Sequence, residues 1–108
     1  EFGSKIIISN DPLDAVNDSQ VIYTDVWASM GQEEEHLKRK LIFEKYKVDQ
    51  KMIDLADEDV ILLHCLPAHR GEEITEEALE SKNSYVFHQA ENRLHVQQAL
   101  LAAQLGGL

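Results

Sequence analysis

The chain has 108 residues and a formal net charge of −10, from 20 acidic and 10 basic side chains. That length suits one small domain with a modest core, and the negative charge argues against nucleic acid, whose binding is driven by clustered Lys and Arg. A single cysteine rules out an internal disulfide, and with no apolar run near the ~18 residues of a membrane span and no signal-peptide pattern, the sequence reads as a soluble chain.

Glu1-Phe2-Gly3-Ser4 looks like what restriction-site cloning leaves behind and is set aside; residues 5–108 read as one unit, without repeat or flexible linker. Residues 5–9 are a β-branched run expected to form a strand. Asp11 then caps a short helix, with Pro12 in its first turn, running through Val16. Residues 20–25 form the next strand, and a polar loop ending at Gly31 leads into a helix over 33–46, with Leu37 and Leu41 one turn apart and Glu33, Glu34 and Glu35 favoured at its start.

Asp49 caps a further short helix through Ala56. The apolar run 60–65 follows, read as a central strand buried in a parallel sheet. Thr75 caps a helix ending near Asn83, and residues 84–87 form a last short strand. The closing helix spans 90–105, with Val96, Leu100 and Ala103 on one stripe and Leu94, Leu101 and Leu105 beside it, before Gly106-Gly107 stops it. Strands alternating with helices predict an α/β fold. The expected architecture is a partial doubly wound parallel sheet of about four strands with flanking helices, a Rossmann-like half, and a long C-terminal helix.

Ligands of such sheets bind beyond the carboxyl ends of the strands, which singles out two loops. One carries His64-Cys65-Leu66-Pro67, and the other Asp25-Val26-Trp27-Ala28-Ser29-Met30-Gly31. Cys65 is either a residue of that site or a small buried hydrophobe, as most free cysteines are. Asp25 either holds a substrate ammonium or serves a turn. Ser29 and Gly31 suit a loop whose amides approach a carboxylate, while Trp27 and Met30 are apolar walls or plain core packing.

Arg93, placed in the first turn of the last helix, opposes the helix dipole there and so suggests an anionic or carbonyl partner, unless Glu91 pairs with it. His64 and His69 do not make a metal site with Cys65, since adjacent strand residues face apart and no second cysteine exists. The same geometry counts against a cysteine hydrolase. Arg70, Glu72 and Glu73 read as a solvated loop, with Arg70 as its anchor. The Leu66-Pro67 bond is a candidate for the cis form.

Three segments, Asp25-Val26-Trp27-Ala28-Ser29-Met30-Gly31-Gln32-Glu33, His64-Cys65-Leu66-Pro67-Ala68-His69-Arg70-Gly71-Glu72-Glu73 and Ala90-Glu91-Asn92-Arg93-Leu94-His95, jointly resemble the ornithine carbamoyltransferase family. The resemblance covers only the carboxyl-terminal part of that family, from within the ornithine-binding domain. It implies a parent enzyme that moves the carbamoyl group of carbamoyl phosphate to the δ-amine of ornithine, giving citrulline and phosphate.

By position, the resemblance implies that Asp25 holds the α-ammonium of ornithine and that Ser29 and Met30 lie in the loop closing over its carboxylate. Cys65 and the Leu66 carbonyl would flank the reacting amine, and Arg93 would contact the carbamoyl oxygen. It also implies no cofactor and no metal, a homotrimeric parent, and a cytoplasmic location, or the mitochondrial matrix if the source is eukaryotic.

The family's Ser-Thr-Arg-Thr and His-Pro-x-Gln motifs do not occur in these residues, and His88 replaces a usually acidic residue. The chain alone is therefore expected to be inactive, with its last helix free to self-associate. A noncatalytic amino-acid-binding or interaction module, or a carbamoyltransferase for a related amine, is the alternative.

Overall fold

The computed structural model describes residues 3–28 and 33–106. The capped helices form where the side-chain caps predict them. The Asp11 carboxylate accepts from the backbone N–H groups of Leu13 and Asp14, and α1 runs Pro12–Val16. Asp49 accepts from Met52 N at the start of α3, Gln50–Leu55. Thr75 accepts from Ala78 N at the start of α4, Glu76–Leu79. Each such cap satisfies a donor that the first turn of a helix leaves unpaired. Between α1 and α3 lies α2, Glu33–Phe43, which tightens into a 3-10 turn over Glu44–Tyr46 instead of continuing as one helix.

Two strands pair among the described residues, not about four. β1, Val21–Thr24, and β2, Ile61–His64, are parallel, in register from Val21 opposite Ile61 to Thr24 opposite His64. Residues 5–9 join no sheet, and Ile6, Ile7 and Ile8 are exposed. A β-branched run has the propensity for a strand but needs a neighbour to take its backbone hydrogen bonds.

The segment expected as the last strand reaches β2 at one residue. Leu62 N donates to Asn83 O, Tyr85 N donates to Leu62 O, and Ser84 forms a single bridge with Leu62. Val86 then turns into the core, fully buried, as the first residue of α5, Val86–Gln104. The helix therefore begins four residues before the expected start at 90. At its other end Gly106 takes φ +75°, the left-handed conformation that closes a helix most cheaply in glycine. The helix expected to end near Asn83 stops at Leu79, where Ser81 N donates to Ala78 O in a turn.

The core lies beneath the sheet: Ile22, Val48, Met52, Ile53, Val60, Leu62, Ile74, Ala78, Leu79 and Val86. β2 is not buried on both faces, as a continuous apolar run suggests. Leu62 and His64 are buried, while Ile61 and Leu63 are half-covered. Beyond Val86, α5 leaves the core, and its Leu94, Val96, Leu100, Leu101 and Leu105 are all more than half exposed. The radius of gyration, 16.6 Å, exceeds the ~13 Å of a well-packed chain this long. Leu37 and Leu41 of α2 likewise face solvent. No helix among the described residues is long and apolar enough to cross a membrane.

Candidate functional site

The parallel register brings the two strand ends together. Since Thr24 pairs with His64, the next residues, Asp25 and Cys65, stand side by side at the sheet's carboxyl edge. The Cys65 thiol donates to Asp25 Oδ1 at 3.1 Å. The same carboxylate oxygen accepts from Val26 N at 2.7 Å.

These hydrogen bonds, the thiol's foremost, stabilise the ionised form of Asp25 and hold its carboxyl below the ordinary value. The effect on the thiol is opposite. The Asp25 hydrogen bond and partial desolvation push Cys65 up, with Arg93 weakly opposing. A thiol so held is protonated at neutral pH and a poor nucleophile, which argues against cysteine-hydrolase chemistry more directly than strand geometry did.

Cys65 and Leu66 from the loop after β2, and Arg93 from α5, line one cavity of about 580 Å³, with Pro67, Phe87 and Ala90 among its other walls. Leu66 has φ +56°, a strained conformation for a bulky residue, and the Leu66-Pro67 bond is cis. Arg93 does not lie in the first turn of its helix. Because α5 starts at Val86, Arg93 sits two turns in, and the argument from an unfavourable helix dipole falls away. Nor is Glu91 its partner, since that carboxylate reaches His95 at 3.6 Å.

Ser29 and Met30 lie outside the described residues. Trp27 is half-buried and stacks on Phe43, with ring centroids 6.3 Å apart, so it packs rather than lines the cavity. A larger cavity, about 740 Å³, lies between α1 and α3 and contains none of the motif residues. Its Lys45 is engaged by Asn10 O, and Lys47 by Glu44. The smaller cavity is the better candidate because three of the motif residues, Cys65, Leu66 and Arg93, converge on it.

Sequence reasoning missed the support beneath the site. Glu73, expected in a solvated loop, is fully buried, as is His64. Glu73 Oε1 lies 2.9 Å from His64 Nε2 and accepts from His69 N at 2.7 Å. His64 Nδ1 accepts from Leu66 N at 2.8 Å, which assigns the ring proton to Nε2. Gln89 of α5 adds a strut, accepting from His64 N and donating to the Tyr23 hydroxyl, both at 3.0 Å. Arg70 anchors its loop through Glu76 and Glu80. The alternation of Leu62 and His64 on one face of β2 was the signal available for His64; nothing in the sequence marked Glu73.

The sequence matches, over residues 1–104, the family described as aspartate/ornithine carbamoyltransferase, Asp/Orn binding domain. The chain belongs to that carbamoyltransferase family. It is 66% identical over 104 residues to an ornithine carbamoyltransferase of Prochlorococcus marinus, covering 96% of this chain and 33% of that one.

Among solved structures, the ornithine carbamoyltransferase from Pyrococcus furiosus superposes with a TM-score of 0.83 at 54% identity, covering 91% of this chain and 31% of that one. The anabolic enzyme of Campylobacter jejuni gives 0.82 at 42%, covering 93% and 33%. The α/β fold is thus that of these carbamoyltransferase structures, and the chain spans about a third of the length of the curated relatives it matches.

Proposed function

We propose that this chain supplies the ornithine-binding side of an ornithine carbamoyltransferase. The observation that carries the proposal is the meeting of Asp25 and Cys65 at 3.1 Å beside a cavity that Arg93 lines from another element. In the reaction, the neutral δ-amine of ornithine attacks the carbonyl carbon of carbamoyl phosphate, the C–O bond to phosphate breaks, and the amine gives up a proton. The products are citrulline and phosphate.

Asp25, ionised and exposed, offers its carboxylate to the α-ammonium, a charge-assisted contact in which the ammonium replaces the thiol as donor. Cys65 and the Leu66 carbonyl orient the δ-amine, the thiol acting as a neutral polarizable group and not as a covalent nucleophile. Arg93 steadies negative charge growing on the carbamoyl oxygen, as preorganised donors do. Ser29 and Met30 belong to the loop over the ornithine carboxylate. The parent assembles as a homotrimer, and the route is arginine biosynthesis.

These 108 residues carry no Ser-Thr-Arg-Thr or His-Pro-x-Gln motif for the phosphate, so they bind ornithine without turning it over. Calorimetry with ornithine tests this. Expected are a weak saturable heat that Asp25→Ala abolishes and no citrulline on adding carbamoyl phosphate. Citrulline formed by the chain alone would overturn the inactivity, and heat unaffected by Asp25→Ala would remove the assigned site.

A further inference from the structure

The geometry points to a divalent-cation site formed by His69, Glu72 and Glu73, outside the cavity described above. Among the described residues these three side chains bring one ligand atom each to within 4.8 Å of one another. The deciding observation is the second carboxylate oxygen of Glu73. Its Oε1 is satisfied by His64 and His69 N, but Oε2 is completely buried and has no hydrogen-bond partner.

Buried carboxylate oxygens are rarely left so, because an unpaired one forfeits its hydration with nothing in exchange. That oxygen lies 3.8 Å from His69 Nδ1, too far for a hydrogen bond. It is close to the ~3.4 Å that separates two ligands sharing one zinc-sized ion with bonds of about 2.0–2.1 Å.

The other groups fit the same reading. The His69 side chain is about half exposed, so an ion has a route in, and a small ring movement closes the gap. Glu72 is mostly buried and is held by His36 Nε2 at 2.7 Å and Lys40 Nζ at 3.4 Å. Lys40 is 43% exposed and can swing into solvent when a cation takes its oxygen. Two carboxylates and one imidazole, completed by water, form a mixed oxygen and nitrogen set that suits Zn2+ or Co2+ rather than Ca2+. Cys65 takes no part, since its thiol is committed to Asp25.

The test uses the 108-residue chain carrying Cys65→Ser, titrated with ZnCl2 by calorimetry and with Co2+ by visible absorption. Saturable binding of one ion is expected, weakened at least roughly tenfold by His69→Ala, by Glu72→Gln and by Glu73→Gln. Glu73→Gln keeps the oxygen that accepts from His64 and His69, and its circular dichroism checks the fold. Should that variant fail to fold, His69→Ala, on an exposed side chain, carries the test alone. No binding up to about 1 mM, or binding that His69→Ala leaves unchanged, overturns the site. So does binding by the parent chain that Cys65→Ser abolishes, which would place the ion at the thiol.

Discussion

His64 and Glu73 meet at 2.9 Å, both side chains wholly buried, and the histidine's other nitrogen accepts from Leu66 N. The backbone just past the strand end is therefore held by an imidazole that is itself held by a carboxylate. Glu73→Ala leaves the His64 ring N–H and the His69 amide without their acceptor. An unpaired buried donor costs about 1–3 kcal/mol, so a loss of roughly 2–4 kcal/mol is expected in urea unfolding. Glu73→Gln, which keeps an acceptor oxygen in place, should lose less than half of that. Equal losses in the two variants would mean that packing, not hydrogen bonding, is what Glu73 provides.

The bond between Cys65 and Asp25 predicts a reactivity as well as a geometry. The carboxylate stabilises the thiol and opposes the thiolate, so Cys65 titrates above the ordinary thiol value and Asp25 below the ordinary carboxyl value. Asp25→Asn removes the charge. Alkylation of Cys65 should then become faster at mildly alkaline pH, with its pH profile moved to lower pH. A profile that stays in place would show that burial alone holds the thiol up.

Glu72 links the loop after β2 to α2, through His36 and Lys40, and its carboxyl is held below the ordinary glutamate value, mainly by the His36 hydrogen bond. A depressed folded-state value means the ionised form favours the folded chain. That contribution is complete above the unfolded value and is lost as pH falls through the lower, folded one. Urea midpoints of Glu72→Gln should therefore lie below the parent's near neutral pH and converge with it in acid, once pH has fallen through the folded-state value. A gap that persists in acid would refute the ion-pair origin.

Beyond its buried first residue, Val86, α5 carries Leu94, Val96, Leu100 and Leu101 more than half exposed among the described residues. We predict concentration-dependent self-association through them, abolished when Leu100 and Leu101, each more than half exposed, are replaced together by Glu. Sedimentation velocity separates the cases: a monomer at every concentration for the parent chain would exclude association. Because neither residue contributes to the core, the double variant should keep its unfolding free energy within about 0.5 kcal/mol.

Which features were legible follows from how local their causes are. Asp11, Asp49 and Thr75 announced three helix starts because a cap is decided within four residues. Asp25 and Cys65 could be placed on the same carboxyl edge because the order of elements implies a parallel sheet, while the direct pairing of their strands came only with the structure. Residues 5–9 have strand chemistry, but whether they pair depends on a neighbour that no local pattern supplies. The last helix began early because Val86 is drawn into the core, and with it went the dipole argument for Arg93. Glu73 was hidden for a similar reason. An acidic residue in a charged loop gives no sign of burial until the chain folds back beneath His64.

The in-register pairing of Thr24 with His64 makes the spacing of acid and thiol a property of the backbone ladder. Adjacent strands keep a fixed separation of about 4.8 Å whatever side chains they bear. The scaffold thus works as a gauge. Any two residues installed at positions 25 and 65 would face each other across the same gap, so the chemistry of this edge can be exchanged while its dimensions stay constant. A one-residue slip of either strand would instead turn every side chain to the opposite face and dismantle the site and the core together.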